Sequence, residues 1–103
     1  MSKTIKIIVS AKNPLEDRIA KSVVENDAYK YTYLKQLISR LKVVASNLQD
    51  KSEEEQEITM RNVLITERNI AAFAAEKYAE FNQEKIFESF TEIMEDIESL
   101  IND

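Results

Sequence analysis

The chain has 103 residues, 44% of them apolar and 32% charged, a formal net charge of −5, and no Gly, Cys, His or Trp. That length makes one small domain at most, burying roughly two-thirds of its unfolded surface. The missing residue types exclude Gly-rich phosphate loops, structural zinc, iron–sulfur clusters, thiolate chemistry and imidazole catalysis, and count against hairpin-rich β folds, which need positive φ.

Carboxylates, Lys, Tyr and Ser remain as possible catalytic groups, and the expectation is a protein that is not an enzyme and needs no cofactor. No stretch approaches the ~18 to 20 apolar residues of a membrane span, and MSKTIKIIVSAKN has too short an apolar run for a secretory signal. A cytoplasmic protein with no membrane partner is expected. Charge is split along the chain: residues 1–49 hold nine Lys/Arg against four Asp/Glu, and residues 50–103 hold five against fifteen. Such halves can neutralise each other within a fold or between subunits. The acidic half repels phosphates, so duplex DNA is not expected as a partner.

In chain order, Ile5, Ile7 and Val9 alternate and predict a short strand or extended arm over residues 1–12. Asn13-Pro14-Leu15-Glu16 reads as a helix start, with Asn13 as N-cap and Pro14 at the first helical position. A short helix over 14–23 follows, striped by Leu15, Ile19 and Val23. A break at 24–27 leaves Asn26 and Asp27 to cap the next helix. That helix, over 28–49, carries Tyr31, Leu34, Ile38, Leu41, Ala45 and Leu48 at steps of three and four, a coiled-coil-type seam. Tyr29, Tyr33, Leu37 and Val44 widen the stripe beyond what one helix contact needs.

Ser52 with Glu53, Glu54 and Glu55 repeats the capping pattern and opens a third helix that can run to Phe81. Its seam is Met60, Leu64, Ala71, Ala74, Tyr78 and Phe81, with Glu67 placed at the edge; Ile58, Val63, Ile65, Ile70 and Phe73 point elsewhere. A fourth helical stretch over 83–101 is striped by Ile86, Phe90, Ile93, Ile97 and Leu100. The sequence leaves open whether it continues the third helix or folds back as a hairpin. The predicted architecture is all-α: a short N-terminal helix and a long antiparallel helical hairpin over 13–81, with an acidic C-terminal helical segment over 82–103. At 1.5 Å per residue the third helix is about 43 Å long. A hairpin that long, apolar on two faces, predicts a homo-oligomer.

Two clusters carry candidate chemistry. Lys12, Arg18 and Lys21 surround the Asn13 cap, where free N–H groups and a guanidinium suit an anion. Glu16 and Asp17 stand at the same end, and an ordinary capped helix is the competing explanation. Tyr29, Lys30, Tyr31, Tyr33 and Lys35 interleave aromatics with cations, as a base-stacking and phosphate-contacting surface does. Residues 29 and 33 share one helix face and 31 lies with 34 and 38, so the three tyrosines do not stack on one ligand; core and interface packing competes here. Glu53–Glu57 reads as helix capping, and the glutamates of the last helix as a solvated face or a phosphate-mimicking one.

The block from Asp27 to Lys77 resembles the helical hairpin of the phage anti-CBASS cyclic-nucleotide sponges, related to a domain of Thoeris anti-defence sponges. Tyr29 opening a helix, the Asp50-Lys51-Ser52-Glu53 turn and Asn69-Ile70-Ala71-Ala72 stand at matching places. Arg18-Ile19-Ala20 stands where the family has an aromatic followed by His-Pro-Pro. The resemblance implies a homohexamer that sequesters cyclic di- or trinucleotides without cleaving them, an immune-evasion role in the host cytoplasm. Arg18, Lys21, Tyr29 and Lys30, with Lys12 and Asn13 beside them, are then the expected ligand contacts. The competing expectation is an acidic helical inhibitor that binds a basic host protein such as a nuclease or transcription factor.

Overall fold

A computed structural model of the chain describes residues 14–102, and every regular element among them is an α-helix: α1 (Pro14–Val24), α2 (Ala28–Asn47), α3 (Glu53–Glu80) and α4 (Glu84–Ile101). The strand expected over residues 3–10, and Lys12 and Asn13, lie outside the described residues. The body is elongated, 45 × 26 × 20 Å, its long axis set by the 28 residues of α3.

α2 and α3 begin where short polar side chains accept backbone N–H groups, whereas Gln83 before α4 makes no such bond. Asp27 caps α2 by accepting from Lys30 N at 3.0 Å, and Ser52 caps α3 by accepting from Glu55 N at 3.2 Å. Two of the three turns solve the missing-glycine problem in the same way. Asn26 (φ 60°) and Asn82 (φ 58°) take the left-handed conformation that usually falls to Gly. After α1, Asp27 N donates to Ser22 O at 2.8 Å and Asn26 N to Val23 O at 3.1 Å; after α3, Gln83 N donates to Tyr78 O at 2.9 Å and Asn82 N to Ala79 O at 3.1 Å. Both are Schellman closures, and the second folds α4 back on α3 as a hairpin. The α2–α3 turn has no left-handed residue. The buried Gln56 amide closes it instead, donating to Leu48 O at 2.8 Å and Lys51 O at 3.1 Å.

α3 and α4 pack most extensively. Arg61 of α3 donates to Ile101 O at 2.6 Å, Arg68 pairs with Glu98, and the Tyr78 ring stacks on Phe90, which fixes the pair as antiparallel. α2 runs parallel to α4, with Asp27 level with Ser89 and Lys30 level with Glu92 and Asp96. α1 returns along α2, so Arg18 also reaches Asp96.

One core results. Leu34, Leu37 and Leu41 of α2, Met60 and Leu64 of α3, and Ile93 and Ile97 of α4 are fully enclosed, and α1 contributes Leu15. Enclosing each such side chain is worth about 1.5–3 kcal/mol. The segment read as an acidic addition after residue 82 thus supplies part of the same core as the 13–81 hairpin. Four seam assignments change: Val23, placed in the α1 stripe, is exposed, and Ala75 is buried in α3 where Ala74 was expected. Glu67 sits within the buried seam of α3, not at its edge, because α2 offers it a guanidinium. Phe81, assigned to that seam, follows the last turn of α3 and stands exposed.

Candidate functional site

Of the residues expected to hold a ligand, Arg18 and Lys30 meet where α1, α2 and α4 converge. Lys30 starts α2 four residues before Leu34 and so faces inward; it is only 2% exposed. Its ammonium lies 3.5 Å from Asp96 Oδ2 and 3.7 Å from Glu92 Oε2, while Arg18 Nη1 lies 3.2 Å from Asp96 Oδ1. Burial pushes the Asp96 carboxyl above the ordinary carboxylate range, and Lys30 and then Arg18 pull it back only in part. Asp27 serves two elements, capping α2 and accepting the Ser89 hydroxyl at 2.8 Å. The structure therefore brings Arg18 and Lys30 together, but around a carboxylate of the chain itself. Lys21 is exposed at the end of α1.

Beside this junction the surface is acidic. A cleft of about 440 Å³ is lined by Glu25, Asp27, Phe87, Glu88, Thr91 and Glu92. An adjoining one of about 360 Å³ adds Asn26, Ala28, Tyr29, Lys85 and Ser89. Tyr29, the expected stacking residue, stands between this acidic region and a third cleft of about 350 Å³ on α2 and α4, whose lining of Ala28, Tyr29, Thr32, Tyr33, Gln36 and Phe90 is uncharged. Phe90 forms its floor, edge-on to Tyr33 with centroids 5.6 Å apart. Tyr29 and Tyr33 share this cleft, as their four-residue spacing requires, whereas Tyr31 lines a groove against α1.

Tyr33 of the third cleft donates its hydroxyl to Glu67 at 3.1 Å, and Glu67 also accepts both Arg40 Nε and Nη2 at 2.9 Å. Burial first, and the Glu67 charge second, push the Tyr33 phenol up to about 12.

No family model matches the chain, and neither a curated protein nor a solved structure is found similar to it.

Among the described residues no group of three or more Asp or Glu is placed to hold a metal ion, and no helix is long and apolar enough to cross a membrane. Residue type misdirected the reading of two positions. Asp96 counts as one more acid in a solvated run, yet it lies three residues after Ile93 and beside Ile97, on the buried side of α4. Lys30 counts as a surface cation, yet it falls in phase with Leu34, Leu37 and Leu41. Helical phase was the available signal for both.

Proposed function

We propose that the chain is a non-catalytic helical protein that acts by binding a cationic protein partner through the acidic cleft between the α1–α2 turn and α4. The carrying observation is the fate of the two central cations of the expected anion site. Arg18 and Lys30 are engaged by Asp96 and Glu92, and the surrounding wall is Glu25, Asp27 and Glu88. A phosphate entering there meets carboxylates first, and at short range like charges cost more than one exposed lysine returns. A Lys- or Arg-bearing surface finds the opposite: three glutamates to pair with, and Phe87 in the wall as an apolar anchor. This is the inhibitor expectation, with the binding surface extended from α4 to the α1–α2 turn.

Deleting α4 would remove Ile93 and Ile97 from the core, so the test uses its outer face. Fluorescence anisotropy of a labelled Lys/Leu helical peptide should show salt-sensitive binding, weakened about tenfold or more by a Glu25→Lys, Glu88→Lys double substitution. Binding that is absent, or indifferent to charge reversal, rejects the reading.

One observation favours the second reading, capture of cyclic di- or trinucleotides. Tyr29 is 52% exposed beside an uncharged aromatic cleft that suits a stacked base. Calorimetry against a panel of cyclic dinucleotides and trinucleotides, with linear dinucleotides as controls, decides it. Heat with cyclic forms only, abolished by Tyr29→Ala, supports capture; no heat with any of them removes it.

A further inference from the structure

α3 is apolar on a side that no other helix covers. Ile70, Phe73, Lys77 and Phe81 step by three, four and four residues and so share one face. Ile70 is 51%, Phe73 60% and Phe81 66% exposed. The stripe begins one turn after Glu67, whose carboxylate holds Tyr33 of the uncharged cleft, and Tyr78, next to Lys77, stacks on Phe90 of the same cleft, so the C-terminal half of α3 adjoins the cleft where Tyr29 stands open. The Lys77 ammonium folds over the Phe73 ring, 5.3 Å from its centroid, and covers part of it with its own stem.

We propose that this face, the C-terminal half of α3 with the α2 cleft beside it, is where a second copy of the chain docks. Size is the first argument. An aromatic side chain carries about 150–250 Å², so Phe73 and Phe81 of the stripe and Tyr29 of the cleft, half to two-thirds exposed, present with Ile70 on the order of 400 Å² of apolar surface. A standard interface takes about 800 Å² per partner, a little over half of it apolar, so one such face per copy matches what a stable dimer needs.

Charge is the second argument. Two copies of a chain with net charge −5 repel most strongly through α4, where six acids stand against Lys85. Beside the stripe, α2 carries Lys35, Arg40 and Lys42 and no acid, and the C-terminal half of α3 has Glu67 held by Arg40 and Glu80 by Lys77, leaving Glu76, so the α2–α3 side is where two acidic copies approach at less cost than through α4. A cationic protein of the kind proposed for the acidic cleft gains nothing from a face edged by Lys77 and the α2 cations, whereas a second copy gains the apolar area with less repulsion than at α4.

Sedimentation equilibrium of the full chain at micromolar concentration reads the result. The expected mass is twice 11.9 kDa. Phe73→Glu and Ile70→Lys should each weaken self-association about tenfold or more with the helical circular dichroism unchanged, since both side chains already face water. Ile58→Glu, also exposed but in the N-terminal half of α3, about 22 Å along the helix from Phe73, should leave the mass as it was. A monomeric wild-type chain overturns the assignment. So does a mass indifferent to Phe73→Glu and Ile70→Lys, or one that Ile58→Glu lowers as much. Peptide binding at the acidic cleft is a separate readout, so the two proposals fail independently.

Discussion

Glu67 and Asp96 are both carboxylates on the inward side of a helix, and the bundle treats them differently. Glu67 receives a two-pronged guanidinium and a phenol hydroxyl, three hydrogen bonds for two oxygens, from partners that themselves reach solvent. Asp96 has Arg18 on one oxygen, while its Oδ2 accepts no hydrogen bond among the described residues and has only the Lys30 ammonium at 3.5 Å. Lys30 is enclosed too, so neither partner of that pair can retreat to water. The α2–α3 cluster is thus a well-solvated clasp, and the α1–α2–α4 cluster a buried ion pair whose desolvation cost its partners return only in part. A buried charge is not stabilising because it is paired; it depends on what its partners lose when the pair is broken.

The sharpest way to break this comparison is Asp96→Ala. It leaves Lys30 buried with Glu92 alone and should cost about 3–5 kcal/mol in urea unfolding. A loss near zero would mean that the ammonium escapes and the pair is not buried in solution. The double variant Lys30→Met, Asp96→Leu should recover most of that loss, because both desolvation costs disappear together. Next in size, Glu67→Ala should cost about 1–3 kcal/mol, since Arg40 turns to water and only the half-buried Tyr33 hydroxyl loses its partner.

Titration separates the clusters further. The folded Asp96 carboxyl binds its proton more tightly than the unfolded one, so its contribution is fully present below its ordinary value and is lost as pH rises through the folded value. Between those two pH values the wild type should gain stability on acidification relative to Asp96→Asn, and parallel curves would contradict the raised carboxyl. At the alkaline end, the Tyr33 contribution is complete below pH 10.0 and is lost as pH rises to about 12. Absorbance titration should show one phenol ionising near 12, absent from Tyr33→Phe, and that substitution should cost the least of the series, about 0.5–1.5 kcal/mol.

The helices were legible because their seams repeat. Leu34, Ile38, Leu41 and Ala45 are buried as their three-and-four spacing requires, and the caps at Asp27 and Ser52 are short-range features that a sequence states directly. The direction of α4 was not legible. It turns on Asn82 adopting positive φ, and nothing local distinguishes that asparagine from one tolerated within a helix. The burial of Lys30 was not legible for a different reason. A lysine's type announces a surface cation, while its partner Asp96 lies more than sixty residues away and only the packed fold brings the two together. Glu67 shows the same limit: its phase was visible, but Arg40 on the neighbouring helix was not.

The two asparagine-closed turns have a consequence for how the chain reaches this state. Each closes through backbone bonds spanning at most six consecutive residues, so α1–α2 and α3–α4 can each form as a local unit before any distant contact exists. A chain without glycine also has fewer backbone states to give up. Refolding should therefore be fast, on the order of microseconds to milliseconds, with the α3–α4 hairpin formed first and the buried Lys30–Asp96 pair among the last contacts made.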